Sequence, residues 1–266
     1  MEEVHRWRGS AHERATLAQS SKTGQFSYFD QQLGQPNWTA LRVLDFGGNE
    51  GGLLDDPACT IRAENYYCVD VIGDALEQGR RKFPRAHWIH YNRYNPSFNP
   101  AGVPGLRVPE MPVNFDVILA YSVFTHTTRD EMHELIRQLL TLLVPGGAFA
   151  FTFIDPHFVS RPDQSSANNL RWRLDRVREL NPGLDVDSLI GQSRGADWCA
   201  LVDGKALYVN DNGLWENETA TCMTYNVYYS VGFLQSEFPQ GTILAPVNGE
   251  MQHCCIIRRR IDGAFQ

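Results

Sequence analysis

No run of apolar residues in the 266-residue chain approaches the roughly 20 that cross a bilayer, so no membrane span is expected. The opening MEEVHRWRGS lacks the apolar core of a signal peptide, and a cytoplasmic location is the expectation. Positive charge is in short supply, with 24 Lys and Arg against 31 Asp and Glu, a net charge of −7. That balance argues against non-specific binding to nucleic acid or anionic membranes, either of which needs a basic face. The six cysteines (Cys59, Cys68, Cys199, Cys222, Cys254 and Cys255) show no C-x-x-C spacing. No metal site is expected from them. Cys68, Cys254 and Cys255 lie in strand-like runs, where a reduced thiol behaves as a small hydrophobe. No internal repeat is present.

What is present is ordinary in bulk, with 42% hydrophobic and 21% charged residues. The length fits one substantial core with an insertion. Residues Leu41 to Leu54, LRVLDFGGNEGGLL, organise the rest. Leu41, Val43, Leu44 and Phe46 make an apolar run suited to a strand buried on both faces. It leads straight into Gly47, Gly48, Gly51 and Gly52. Glycines after a buried strand let the backbone turn sharply and approach a ligand with no Cβ in the way. Asn49, standing among them, is the non-glycine residue that best tolerates positive φ. A second apolar run, Tyr66-Tyr67-Cys68-Val69, ends in Asp70, about 20 residues past the loop, at the spacing where an acid can bind ribose hydroxyls.

The glycines do not fit the G-x-G-x-x-G frame of nicotinamide enzymes. The order Asp45-Phe46-Gly47-Gly48-Asn49-Glu50-Gly51 instead resembles the first motif of class I S-adenosylmethionine-dependent methyltransferases, with Asn49 in place of the middle glycine. The resemblance extends through Phe115-Asp116-Val117-Ile118-Leu119-Ala120, a following amphipathic helix, Leu142-Leu143-Val144-Pro145-Gly146-Gly147 and a further strand, and resumes near the C-terminus.

Taken in order, Ser10 and Glu13 fit a capping box that opens a helix over 11–19. Phe26, Tyr28, Phe29 and Leu33 form an aromatic arm that either packs on the domain or, as the resemblance implies, covers cofactor or substrate. Asp55-Asp56-Pro57 clips the helix after the glycine loop to a turn or two. A helix over 73–83 and a strand over 86–91 follow. Residues 92–112, with five prolines, read as a long irregular loop in place of a crossover helix. Thr128 and Glu131 form a second capping box. Met132, Leu135, Ile136, Leu139, Leu140 and Leu143 then make one apolar stripe in a helix that Pro145-Gly146-Gly147 should end, with a strand over 148–154 behind it. The later stretch reads as a helix over 169–180 and a hairpin of 198–202 and 205–209 about Asp203-Gly204. A last helix over 228–238 and antiparallel closing strands over 242–247 and 253–257 complete the chain.

These elements imply an α/β Rossmann-like fold, a mostly parallel seven-stranded sheet with an antiparallel last strand and helices on both faces. The organisation expected is an arm over 1–40, a cofactor-binding core over 41–155, a substrate-specifying insertion over 156–226 and the end of the core sheet over 227–266. By the resemblance, the cofactor is S-adenosyl-L-methionine, leaving as S-adenosylhomocysteine. Its contacts would come from Asp45, Gly47, Gly48, Asn49, Gly51, Asp70, Val71, Asn92, Arg93, Tyr121 and Ser122, with Asp70 on the ribose and Asn92 on the base. His126 is the first candidate for a general base, because it follows the fourth strand and an imidazole is poised near neutral pH. His157 and Tyr28 follow. The expected reaction is methyl transfer to an oxygen or nitrogen of a small-molecule metabolite, by a monomer or homodimer without nucleic-acid or membrane partners. A non-catalytic binding or regulatory protein on the same fold is the alternative, prompted by Asn49 and the clipped helix. A nicotinamide-dependent oxidoreductase is disfavoured by the glycine frame.

Overall fold

The structure, a computed structural model, describes residues 24–95, 98–155, 200–202, 205–207, 225–227, 229–247 and 250–262. The helices expected over 11–19 and 169–180, the Ser10 cap, the Asp203-Gly204 turn and His157 lie outside the described residues. No helix among the described residues is long and apolar enough to cross a membrane.

The short apolar runs become β1 (Val43–Phe46), β2 (Tyr66–Asp70), β3 (His87–His90), β4 (Phe115–Ala120) and β5 (Leu143–Ile154). Near the end of the chain come β9 (Thr242–Leu244) and β10 (Gln252–Arg258). They form one sheet in the order β3-β2-β1-β4-β5-β10-β9. The first five strands pair in parallel, and β10 runs antiparallel to both its neighbours. The chain steps outward from β1 to β3 and returns to β4, so the order reverses between β1 and β4. Ligands of such sheets bind beyond the carboxyl ends of the strands at that reversal. Three short strands, β6 (Ala200–Val202), β7 (Lys205–Leu207) and β8 (Tyr225–Val227), make a separate antiparallel sheet, the first two being arms of the expected hairpin.

Successive strand residues point to opposite faces, and each face has its own core. On one, Leu44, Phe46, Ile118, Phe149 and Phe151 pack with α4 (Arg129–Thr141) and α5 (Val231–Glu237). On the other, Val43, Tyr66, Val117, Ala150 and Cys254 pack with α1 (Gln25–Gln32), the single-turn α2 (Gly52–Asp55) and α3 (Gly73–Lys82). The Thr128–Glu131 capping box is complete, and Met132, Leu135, Ile136, Leu139 and Leu140 form the buried stripe of α4. Glu237 receives Arg129 at 2.9 Å and also His133, which joins α5 to α4.

Two helix boundaries differ from the sequence expectation. Helix α4 ends at Thr141, and Pro145-Gly146-Gly147 lies inside β5 instead of terminating the helix. Gly146 N–H donates to the Arg259 carbonyl at 2.8 Å and Gly147 accepts from Arg259 N–H at 2.9 Å, so sheet pairing captures the glycines. The register slips there between Phe115 and Val117, as at a bulge. Helix α5 begins at Val231, because Tyr229 N–H donates to Ile154 and keeps the preceding segment extended, and Ser230 caps Phe233 N–H at 3.0 Å.

The indole of Trp88 occupies the space a Cβ on Gly79 would need, and Tyr66 backs that ring at 5.9 Å between centroids. Helix propensity alone favours Gly79→Ala by about 1 kcal/mol. Overpacking against the boxed indole should reverse that sign, leaving the variant about 1–3 kcal/mol less stable in chemical denaturation. A variant as stable as the parent would mean the ring has room to move.

Candidate active site

The turn after β1 is shaped by what stands around it. Gly47 has φ 82°, donates to the Val69 carbonyl at 2.7 Å, and has Val123 where a side chain would go. Asn49 takes φ 54°, the left-handed conformation of the glycine it replaces. Its N–H donates to Asp70 Oδ2 at 2.7 Å, and its own Oδ1 accepts Glu50 N–H at 2.9 Å. The other oxygen of Asp70 accepts Ile72 N–H at 2.8 Å. One carboxylate therefore joins the β1 turn to the end of β2. Burial pushes the Asp70 carboxyl upward, opposed by the N–H donors of Ile72, Asn49 and Val71 and by nearby His90.

Above these carboxyl ends lies a cavity of about 460 Å³, within the size range of small-molecule sites. Gly47, Gly48 and Asn49 line it from the first turn, Asp70 and Val71 from β2, and Tyr121, Ser122 and His126 from beyond β4. Arg93 lines it from the long loop. These nine expected residues are brought together by the reversal of strand order.

Four others are placed elsewhere. Asp45 shares the parity of Val43 and faces the α3 side, where Tyr66 hydroxyl donates to its Oδ2 at 2.5 Å. It lies under Gly48, whose missing Cβ leaves room for the carboxyl. Burial pushes Asp45 up to about 7, against the Tyr66 hydrogen bond and with Asp70 adding repulsion. Asn92 is exposed, because its neighbours Tyr91 and Arg93 are buried and the extended backbone turns it outward; its Oδ1 accepts from Asn99 Nδ2 at 3.0 Å. Gly51 backs onto Trp88 and Phe83 instead of the cavity. Tyr28 is buried, with its hydroxyl donating to the Gln252 carbonyl at 2.8 Å and its ring edge-on to Tyr121 at 5.8 Å. Burial raises its hydroxyl far above the usual phenol range. It braces Tyr121 from behind and does not reach the cavity; from the arm, Gln25 does.

Arg93, expected at the cofactor, is a buried strut. It pairs with Glu134 at 2.9 Å and Glu131 at 3.7 Å and donates to the Leu106 carbonyl at 2.7 Å, tying the long loop to α4. His126 lies on a single 3-10 turn, Phe124–His126, with Phe98 edge-on at 4.9 Å. Ser122 has φ 57° and is held by a relay: its N–H donates to Thr152 Oγ1 at 2.7 Å, which donates to Gln252 Oε1 at 2.5 Å. Tyr121 hydroxyl donates to Glu250 Oε2 at 2.9 Å.

Sequence reading missed Glu250, Gln252 and Thr152. Glu250 stands in a polar turn without a motif, and the other two sit in strands that read as plain core. The aromatic residues Tyr94 and Phe98 on the cavity wall left a trace, being the two aromatic side chains in a long loop rich in Asn, Pro and Gly.

Residues 44–149 match the family model described as a methyltransferase domain, a span running from β1 into β5 and holding Asp70, Tyr121 and His126. No curated protein matches the sequence. Among solved structures, the chain is similar to the S-adenosylmethionine-bound amino pentose methyltransferase of Micromonospora echinaspora, at 13% identity over 93% of this chain and 97% of that one, TM-score 0.49. An S-adenosylmethionine-dependent methyltransferase from Mesorhizobium loti aligns at 15% identity over 89% and 99%, TM-score 0.47. DesVI of Streptomyces venezuelae aligns at 14% identity over 54% of this chain and 56% of that one, TM-score 0.39, so the chain spans little more than half of that relative.

The raised Asp45 carboxyl makes stability depend on pH. Its pKa climbs from an ordinary 3.8 to about 7 on folding. Between those values the folded form holds a proton that the unfolded form has lost, so this group's stabilisation fades as pH rises from 4 to 7. Asp45→Asn, which still accepts from Tyr66, should gain on the parent across that window by on the order of 4 kcal/mol. Denaturant midpoints of both proteins at pH 4, 5.5 and 7 measure it. A constant difference would mean that Asp45 titrates normally.

Proposed function

We propose that this chain, whose residues 44–149 match a methyltransferase domain, transfers a methyl group from S-adenosylmethionine to an oxygen or nitrogen of a small-molecule metabolite. The observation that carries the reading is the Asp70 carboxylate, which lines the cavity while tying down a turn with no room for side chains at Gly47 and Gly48. A nucleoside cofactor suits that arrangement: backbone at Gly47–Asn49 for close approach, a carboxylate for ribose hydroxyls, and apolar Val71 and Ile72 beside it. When bound, the cofactor supplies a methyl group already activated on a sulfonium.

The protein's own part is then positioning, dehydration and proton removal. Tyr121 and Ser122 hold the floor at the end of β4, one through Glu250 and the other through Thr152. His126, on the cavity wall, is the candidate to take the acceptor's proton. His157 is a second candidate base, lying outside the described residues. The left-handed Asn49 supports an intact cofactor turn and removes one reason for a non-catalytic reading.

Calorimetry with S-adenosylhomocysteine and NAD separates the methyl-transfer reading from the oxidoreductase one. The first ligand should bind and the second should not. Asp70→Ala should weaken S-adenosylhomocysteine binding by at least about tenfold, close to 1.4 kcal/mol, and unchanged affinity would take Asp70 out of the site. His126→Ala should leave that affinity within about twofold while slowing turnover by roughly 100-fold, the lower range for a lost general base. Equal rates would remove His126 from the chemistry.

A further inference from the structure

The charges around the cavity do not balance. Among the described residues, Arg93 is the lining cation of fixed charge, and Glu134 and Glu131 already neutralise it. Asp70 is engaged by the backbone of two loops. Glu250 is different. Its side chain is half-buried on the cavity wall and receives the Tyr121 hydroxyl, with no Lys, Arg or His in ion-pair range among the described residues. A carboxylate drawn partly out of water is costly to leave without a cation.

Its position says which ligand could supply one. β10, which Glu250 precedes, is separated from β1 by β4 and β5, three strand spacings or about 14 Å. Asp70 lies on β2, a further strand away. Glu250 reaches back over β5 to Tyr121, so it stands on the far side of Tyr121 from the nucleoside anchor. Tyr94 and Phe98 line the same cavity, Phe98 edge-on to His126, and aromatic ring faces favour cations over anions.

We infer that Glu250, oriented by Tyr121, binds an ammonium group carried by the methyl acceptor, so that the enzyme acts on basic amines and not on carboxylates or phosphate esters. This rests on the methyltransferase reading above and adds the chemical class of its acceptor. An anionic acceptor would meet an uncompensated carboxylate. A neutral one would leave it without a counter-charge.

Saturate the protein with S-adenosylhomocysteine and titrate tyramine, histamine and cyclohexylamine, each beside its N-acetyl derivative, by calorimetry. The amines should bind at least about tenfold more tightly than their acetylated forms. Glu250→Gln should erase that preference while S-adenosylhomocysteine affinity stays within about threefold, and Tyr121→Phe should reduce the preference only in part. Absence of amine binding, equal binding of both forms, or a preference that survives Glu250→Gln would overturn the inference. A loss of S-adenosylhomocysteine affinity of tenfold or more in Glu250→Gln would overturn it too, assigning the carboxylate to the cofactor's own ammonium. Failure of S-adenosylhomocysteine to bind the parent protein is a separate outcome, which removes the underlying methyltransferase reading and the inference with it.

Discussion

The carboxylate of Asp70 takes a backbone N–H from each of the loops beside it, from Asn49 on one oxygen and from Ile72 on the other. Charge-assisted hydrogen bonds of this kind are about twice as strong as neutral ones, and these two span neighbouring strands. The turn after β1 is thereby held open in a left-handed conformation that Asn49 tolerates and most residues do not. Asn49 and Ile72, the two residues that Asp70 holds, both line the cavity. The same carboxylate still lines the cavity, so one residue both builds the turn and borders the open space above it.

Beneath the turn the molecule accepts a cost. Asp45 is a carboxyl in an apolar layer with a phenol for company, and its affinity for a proton rises to the neutral range. A protonated Asp45 relieves both its own desolvation and its repulsion with Asp70. Gly48 is small because Asp45 lies below it, and Asp45 is tolerated because Tyr66 reaches it from β2. Acid and phenol therefore form one packed unit beneath the turn, on the α3 side of the sheet and away from the cavity.

The opposite end of the cavity is built from more distant parts. β10 is inserted antiparallel between β5 and β9, which brings Glu250 and Gln252 beside Tyr121 and Ser122. Tyr28 closes the arrangement from behind by donating to the Gln252 carbonyl. A side chain near the start of the chain, one at the centre and a segment near the end thus share one small volume. Each member is hydrogen-bonded to a different segment of the chain, so displacing one strains several bonds.

Read alone, the residues determined whatever is settled between near neighbours. The buried strands follow from apolar runs, α4 from its capping box and 3.6-residue stripe, the clipped α2 from Asp55-Asp56-Pro57, and the tolerance of Asn49 for its φ from its own side chain. Tertiary structure alone decided which way Asp45 and Asn92 point, that Pro145-Gly146-Gly147 is a bulge in a strand, and that Tyr28 is a brace. It alone put Glu250 in the cavity. The placements of Glu250 and Tyr28 depend on partners 129 and 224 residues away, through the sheet order that brings them together. No local pattern encodes such a partner, because a hydrogen bond between distant segments exists only after the strands between them have been laid in place.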